Sequence, residues 1–220
     1  MATVLITGAN RGIGLALARA YAERGDTVLA ACRLASDALT ALGVRIYEGV
    51  EVADDAALDR LATALGGTEI DILINNAAIH SNETLEDLSF ERIRRQFEVN
   101  ALGPLRVTRA LLPHLHKGSK VVIVTSRSGS IGDNGSGQTY GYRMSKAAVN
   151  MGGVNLALDL APRGIPVLLL HPGMVKTDMG GGPGAVEAKD AAARMVARID
   201  ELSLENTGRF QHAEGHALPW

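Results

Sequence analysis

The chain contains a single cysteine, Cys32, in 220 residues. One thiol excludes an internal disulfide framework, and the expected setting is a reducing, cytoplasmic one. Aromatic residues make up only 4%, in an otherwise ordinary globular composition. The formal charge of −2 provides neither a basic footprint for nucleic acid nor an acidic tail. No apolar run approaches the roughly 18 residues of a membrane span. Met1 leads directly into the first strand candidate, so no signal peptide is expected. Hydrolase and triphosphatase signatures are also missing: there is no G-x-S-x-G and no G-x-x-x-x-G-K-[ST]. His212 and His216 are four apart, as zinc ligands often are, but no third ligand is read beside them. They are expected to be surface histidines, with no metal.

What is present begins at Thr3. Val4, Leu5 and Ile6 read as a buried strand, Gly8, Gly12 and Gly14 as a tight turn, and Ile13, Leu17, Ala20 and Tyr21 as one face of a helix. Glycine permits the turn and close approach of a pyrophosphate, while the free amides at the helix start favour anions. Further strand candidates lie at 27–31, 44–47, 70–74, 120–125 and 167–170, with a short last element at 208–210. Between them come helix candidates. One spans 54–65, with Asp54 as N-cap and Gly66-Gly67 as stop. An amphipathic stretch at 82–96 reads as one or two helices, another helix opens at Val99-Asn100, and a last one spans 188–202. Alternating strands and helices in 220 residues predict one α/β domain with a parallel sheet covered on both faces.

In a dinucleotide fold an acid at the end of the second strand holds the adenosine ribose, and an arginine there accommodates a 2′-phosphate. Positions 31–33 carry no acid, and Arg33 and Arg11 offer guanidinium groups. NADP(H) is therefore expected over NAD(H). Later in the chain, Tyr142 and Lys146 are four apart on a predicted helix and share one face. An ammonium beside a phenol favours the phenolate and lowers its pKa, which suits proton exchange with a carbonyl oxygen. A serine hydroxyl at the same oxygen adds a hydrogen bond as charge develops. Ser126, Ser128 and Ser130 compete for that place, and strand register favours Ser126.

Four stretches together resemble the short-chain dehydrogenase/reductase family: Thr7-Gly8-x-x-x-Gly12-Ile13-Gly14, Asn75-Asn76-Ala77-Ala78, Thr125-Ser126-x-x-Gly129 with Tyr142-x-x-x-Lys146, and Pro172-Gly173-x-Val175-x-Thr177. The resemblance runs from Thr7 to Thr177, and the Trp220 ending is similar to the sniffer and C-factor carbonyl-reductase branch. It implies a single Rossmann-type domain over 1–220 with strand order 3-2-1-4-5-6-7. It implies cofactor contacts from Gly8, Asn10, Arg11, Gly12, Ile13, Gly14, Arg33, Val52, Asn76, Ala77, Ala78, Tyr142, Lys146, Pro172, Gly173, Val175 and Thr177. Catalysis would fall to Ser126, Tyr142 and Lys146, with Asn100 either capping a helix or holding a relay water. Three departures stand out: Glu51 precedes Val52 in place of aspartate, Ala78 replaces glycine, and sixteen positions separate Ser126 from Tyr142.

The function implied is NADP(H)-dependent interconversion of a small carbonyl and its alcohol. The alternative is a non-catalytic NADP(H)-binding regulatory or signalling protein on the same fold. No nucleic acid or membrane partner is expected. A homodimer is, through the helices starting near Asn100 and Tyr142, where Val149, Met151, Val154, Leu156 and Leu158 supply apolar surface. Residues 178–189 include Gly180, Gly181, Gly182, Pro183 and Gly184 and are expected to form a short flexible loop that leaves the substrate side open.

Overall fold

The computed structural model describes residues 1–180 and 185–220. Its centre is β1, Thr3–Thr7, whose Val4, Leu5 and Ile6 are wholly buried. A strand apolar on every position needs cover on both faces, and parallel crossovers provide it. β1 lies between β2 (Thr27–Ala31) and β4 (Ile70–Asn75). The remaining strands are β3 (Arg45–Tyr47), β5 (Leu115–Val124), β6 (Val167–His171) and β7 (Phe210–His212). All pair in parallel, in the order β3-β2-β1-β4-β5-β6-β7, as the sequence led us to expect.

Alternate side chains along each strand enter opposite layers. Leu5, Leu29, Leu73, Val121 and Ile123 face α3 (Asp55–Leu65), α5 (Gly103–Ala110) and α6 (Tyr140–Leu160). Val4, Ile6, Ala30, Ile74, Val122 and Leu168 face α1 (Gly12–Glu23) and α7 (Ala188–Asp200). Full burial of each such aliphatic side chain contributes roughly 1.5–3 kcal/mol. A short helix α2, Asp37–Thr40, is capped by Ser36. Asp54 caps α3 by accepting the Ala56 amide at 3.0 Å, and Gly66 ends it at φ 58°.

The structure corrects several boundaries. β5 begins at Leu115, not 120, and β7 covers 210–212, not 208–210. Two corrections bear on the site. Helix forms only from Phe90 in the stretch 82–96, as α4 (Phe90–Gln96). Residues 76–84 have no regular structure, and Leu85, which helical spacing placed on an apolar face, is 69% exposed. What holds the segment is Glu83, whose side chain is completely buried. Nor does Asn100 open or cap a helix. It sits inside a π-helical turn, Phe97–Leu102, that joins α4 to α5. The wide turn carries its side chain inward, away from the backbone groups a cap would bind.

Candidate active site

Glycine geometry builds the cofactor end. Gly8 turns at φ 67° and its amide donates to Ala31 O at 2.8 Å, tying the turn to β2. A Cβ on Gly14 would overlap the Gly8 carbonyl and the Asn76 amide, so only glycine lets α1 approach β1 this closely. Asn76 braces the junction, donating from Nδ2 to Thr7 O at 3.0 Å and to Gly8 O at 3.2 Å. No side chain caps the N-terminus of α1, so its first amides are unspent. A Cβ on Gly12 would meet Thr177 at 3.4 Å, across a cleft that runs between turn and segment.

That cleft is lined by Gly8, Asn10, Arg11, Gly12, Ile13, Gly14 and Arg33 at one end. Val52, Asn76, Ala77 and Ala78 form its floor, Tyr142, Lys146 and Pro172 lie at its far end, and Thr177 faces Gly12 across it. The predicted residues off its wall are Ser126, Asn100, Gly173 and Val175. Val175 is buried and pairs with Val186. An uncapped helix start and a side-chain-free cradle fit a dinucleotide pyrophosphate.

Charges around the adenosine end are paired. Arg11 Nη1 lies 2.8 Å from Asp178 Oδ2, with both side chains more than half exposed. Glu51 Oε2 lies 2.9 Å from Arg95 and 3.9 Å from Arg33. Arg95, on α4, also lines the cleft, though nothing in the sequence reading singled it out.

At the other end α6 carries Tyr142 and Lys146. Lys146 is 3% exposed, and its Nζ donates to Val124 O at 2.9 Å. Burial depresses its pKa to about 8. Its Nζ stands 5.7 Å from the centre of the Tyr142 ring. The expected lowering of the Tyr142 pKa by Lys146 is not what results: burial raises it, and the Ser126 hydroxyl lowers it by less. Desolvation disfavours both charged forms, and the ammonium is engaged by a carbonyl. Of the three candidate serines, Ser126 interacts with the phenol, whereas Ser130 is turned toward Trp220 O. Ser126 begins a short 3₁₀ turn, Arg127–Gly129, and accepts the Ser128 amide at 3.1 Å.

Asn100 is fully buried and spends both amide hydrogens. Nδ2 donates to Ile79 O at 2.9 Å and to Ser145 Oγ at 3.1 Å, and Oδ1 accepts the Ile79 amide at 2.8 Å. It thus locks the cleft-floor loop to α6. A second clamp, missed in the sequence, is Glu83. Its carboxylate accepts the Gly141 amide at 3.2 Å at the start of α6, Gln96 Nε2 at 3.2 Å and the Ser81 hydroxyl. A Cβ on Gly141 would overlap the Gln96 amide and push it out of its bonds to Ser81 and Glu83. Glu83→Ala would strand these donors in the interior. It is expected to cost about 3 kcal/mol in a urea titration, whereas a loss within 0.5 kcal/mol, roughly the level of a surface substitution, would show that the clamp is not needed.

His212 and His216 are closer to a ligand set than the sequence reading allowed. Glu214 lies between them, and the three ligand atoms fall within 4.8 Å of one another. Arg194 holds the Glu214 carboxylate at 2.7 Å, and His212 Nδ1 accepts the Glu214 amide at 3.0 Å.

A parallel doubly wound sheet, a glycine cradle on an uncapped helix and a buried Tyr-Lys pair at the far end of one cleft define a dinucleotide-dependent oxidoreductase. Comparison with known proteins narrows this class. A sequence model of the short chain dehydrogenase family matches residues 2–185, and the chain belongs to that family. It is 43% identical, over the full length of both chains, to a 1-hydroxy-2-glutathionyl-2-methyl-3-butene dehydrogenase of Rhodococcus sp.. It is 46% identical to C-signal of Myxococcus xanthus, over 69% of this chain and 93% of that one. Among solved structures, an NADPH-bound carbonyl reductase from chicken fatty liver superposes with a TM-score of 0.92 at 30% identity, covering 100% of this chain and 99% of the other. No helix among the described residues is long and apolar enough to cross a membrane.

Proposed function

We propose that this oxidoreductase reduces small aldehydes and ketones with NADPH, and runs the reverse oxidation of the alcohols. The observation that carries the reading is the Tyr142-Lys146 pair at the far end of the cleft from Arg33, with the Ser126 hydroxyl beside the phenol behind the cleft wall. A nicotinamide dinucleotide bound along that cleft supplies or accepts the hydride. Every other role falls to the chain. The α1 amides and glycine turn hold pyrophosphate, Arg33 and Arg11 receive the 2′-phosphate, and Pro172 and Thr177 border the nicotinamide end. Ser126 orients the substrate oxygen, and the Tyr142 hydroxyl hands it a proton. Lys146, beneath the phenol, stabilises the phenolate left behind. With both Asn100 amide hydrogens committed, a relay water near Lys146 would use an oxygen of Asn100 rather than its amide group.

The deciding experiment is NADPH oxidation with a panel of aldehydes, ketones and quinones. Steady turnover supports the enzyme. Tight NADPH binding without turnover supports the regulatory alternative, toward which the name of one relative, C-signal, points. Both ends of the segment 178–189, expected to be a loose loop, are tied to the residues before it: Thr177 N donates to Gly180 O at 2.9 Å, Lys176 N donates to Val186 O at 3.0 Å, and Lys176 pairs with Glu187 at 2.6 Å. Residues 181–184 lie outside the described residues. Acceptance of several unrelated carbonyls, none preferred over close analogues by about a thousandfold, is the expected pattern.

Cofactor choice is tested at Arg33. Losing a charged hydrogen bond costs about 1.5–3 kcal/mol, so Arg33→Ala should weaken NADPH about tenfold or more and leave NADH within about twofold in fluorescence titrations. Equal wild-type affinities for the two would sink the preference.

A pH profile tests Lys146, whose ammonium is lost through about pH 8. Reduction starts from the protonated pair, so its kcat is expected to fall as pH rises through about 8, while alcohol oxidation rises over the same range. Lys146→Ala should remove that break from both limbs, and an unchanged profile would exclude Lys146 as its source.

For assembly, we propose a homodimer across α6. Met144, Met151 and Leu158, seven apart, are exposed along one stripe, whereas Val149 faces the sheet.

A further inference from the structure

His80 packs against Tyr142 at the reacting end, and the proposed chemistry does not use it. It follows Ile79, whose amide and carbonyl are both held by Asn100 at 2.8 and 2.9 Å, so the backbone that carries it is fixed. Its ring meets the Tyr142 ring edge-to-face, with centroids 4.8 Å apart and planes at 69°. It is half-buried. Three of the other histidines spend a nitrogen on the protein: His114 bonds Thr68 O, His116 bonds Asp71, and His212 accepts the Glu214 amide; His171, whose Nδ1 is also unpartnered, packs against His212 and not against the phenol. Among the described residues nothing hydrogen-bonds either nitrogen of His80. A half-buried imidazole with unspent nitrogens, touching the phenol that handles the substrate oxygen, is placed to bind the substrate.

We propose that His80 is a specificity-determining residue that recognises a hydroxyl on the carbon next to the reacting carbonyl, so that α-hydroxycarbonyls are favoured over plain ketones. This rests on the carbonyl-reductase reading and goes beyond it. A neutral imidazole offers one donor and one acceptor, and a hydroxyl offers the same pair, so the two match in either tautomer. Burial lowers the proton affinity of His80, and the charge of Glu83 restores it only in part, so the ring is neutral at physiological pH. That neutrality, with Glu83 close by, argues against a carboxylate ligand. In an α-hydroxycarbonyl the two oxygens sit one carbon–carbon bond apart, which suits two hydrogen-bonding side chains whose rings touch.

The test compares acetoin with butanone for the wild type, His80→Phe and His80→Gln. Phenylalanine keeps the ring against Tyr142 but has no nitrogens. His80→Phe is expected to lower kcat/KM for acetoin about tenfold, the worth of one hydrogen bond, and to leave butanone within about twofold. His80→Gln, which restores a donor and an acceptor, should recover most of the acetoin rate. Equal losses on both substrates would mean that the ring only supports Tyr142, and would overturn the proposal, as would no loss on either. Wild-type turnover of butanone keeps these outcomes separate from failure of the reductase reading, since its absence overturns both. If His80→Phe does not fold, the acetoin-to-butanone ratio of His80→Ala decides: a ratio about tenfold below wild type supports the assignment, and one within about threefold overturns it.

Discussion

Tyr142→Phe is expected to lower kcat for carbonyl reduction roughly a thousandfold while NADPH binds within about threefold of wild type. General acid catalysis by a positioned side chain contributes about a hundred- to ten-thousandfold, and phenylalanine deletes only the oxygen that carries the proton. The ring contacts survive: His80 still has an aromatic edge to meet, and the Lys146 ammonium keeps a ring face nearby. The glycine cradle and Arg33, at the other end of the cleft, are untouched. Folding and cofactor affinity should therefore hold while chemistry is lost. Stopped-flow NADPH binding and steady-state turnover on one preparation make the comparison. Turnover within tenfold of wild type would remove Tyr142 from the role of proton donor.

Gly129→Ala should be nearly as damaging, although residue 129 touches no substrate. A Cβ at this position would stand 2.6 Å from the Lys146 carbonyl carbon, 2.8 Å from its oxygen and 2.9 Å from the Ala147 nitrogen. All three are backbone atoms of α6, and none is the yielding end of a flexible side chain. The 3₁₀ turn that starts at Ser126 must then move off the helix that carries Tyr142 and Lys146. A displacement of the order of 1 Å at a reacting group costs about a hundredfold in rate, and overpacking costs about 1–3 kcal/mol in stability. Gly135→Ala, in the same loop but with nothing within 4 Å of its Cβ, is the matched control and should stay close to wild type. If Gly129→Ala retains full kcat, the contact between turn and helix is not what sets the distance between Ser126 and the phenol.

Both predictions start from motif residues, yet the sequence explained them unequally. Tyr142 and Lys146 were readable because helical spacing alone puts them on one face. Gly129 was readable only as a letter in a resemblance, and its reason, the backbone of α6 pressed against it, is a contact between segments far apart in the chain. Glu83 was not readable at all. Leu85, Leu88 and Ile93 imitate a helical stripe, and a lone acid among many charges looks solvated, but the segment runs inward to cap α6. The same holds for Asn100: a polar residue near a helix start resembles a cap, and only the π-helical turn joining α4 to α5 reveals that its side chain is turned toward Ile79 and Ser145. Glu214 stands between His212 and His216 in the chain itself, and the fold gathers the three side chains within 4.8 Å of one another.

The sequence by itself determined what depends on neighbours along the chain. These are the buried strands, read from unbroken apolar runs, the glycine turn into α1, the Asp54 cap and the Tyr-Lys face. Local sterics and periodicity decide such features within one or two turns of backbone. The tertiary structure alone decided which carboxylates take up the arginines at the adenosine end and which way burial moves the Tyr142 pKa. Each depends on how much water is excluded and which distant group replaces it, and those quantities exist only once the sheet and both helical layers have closed.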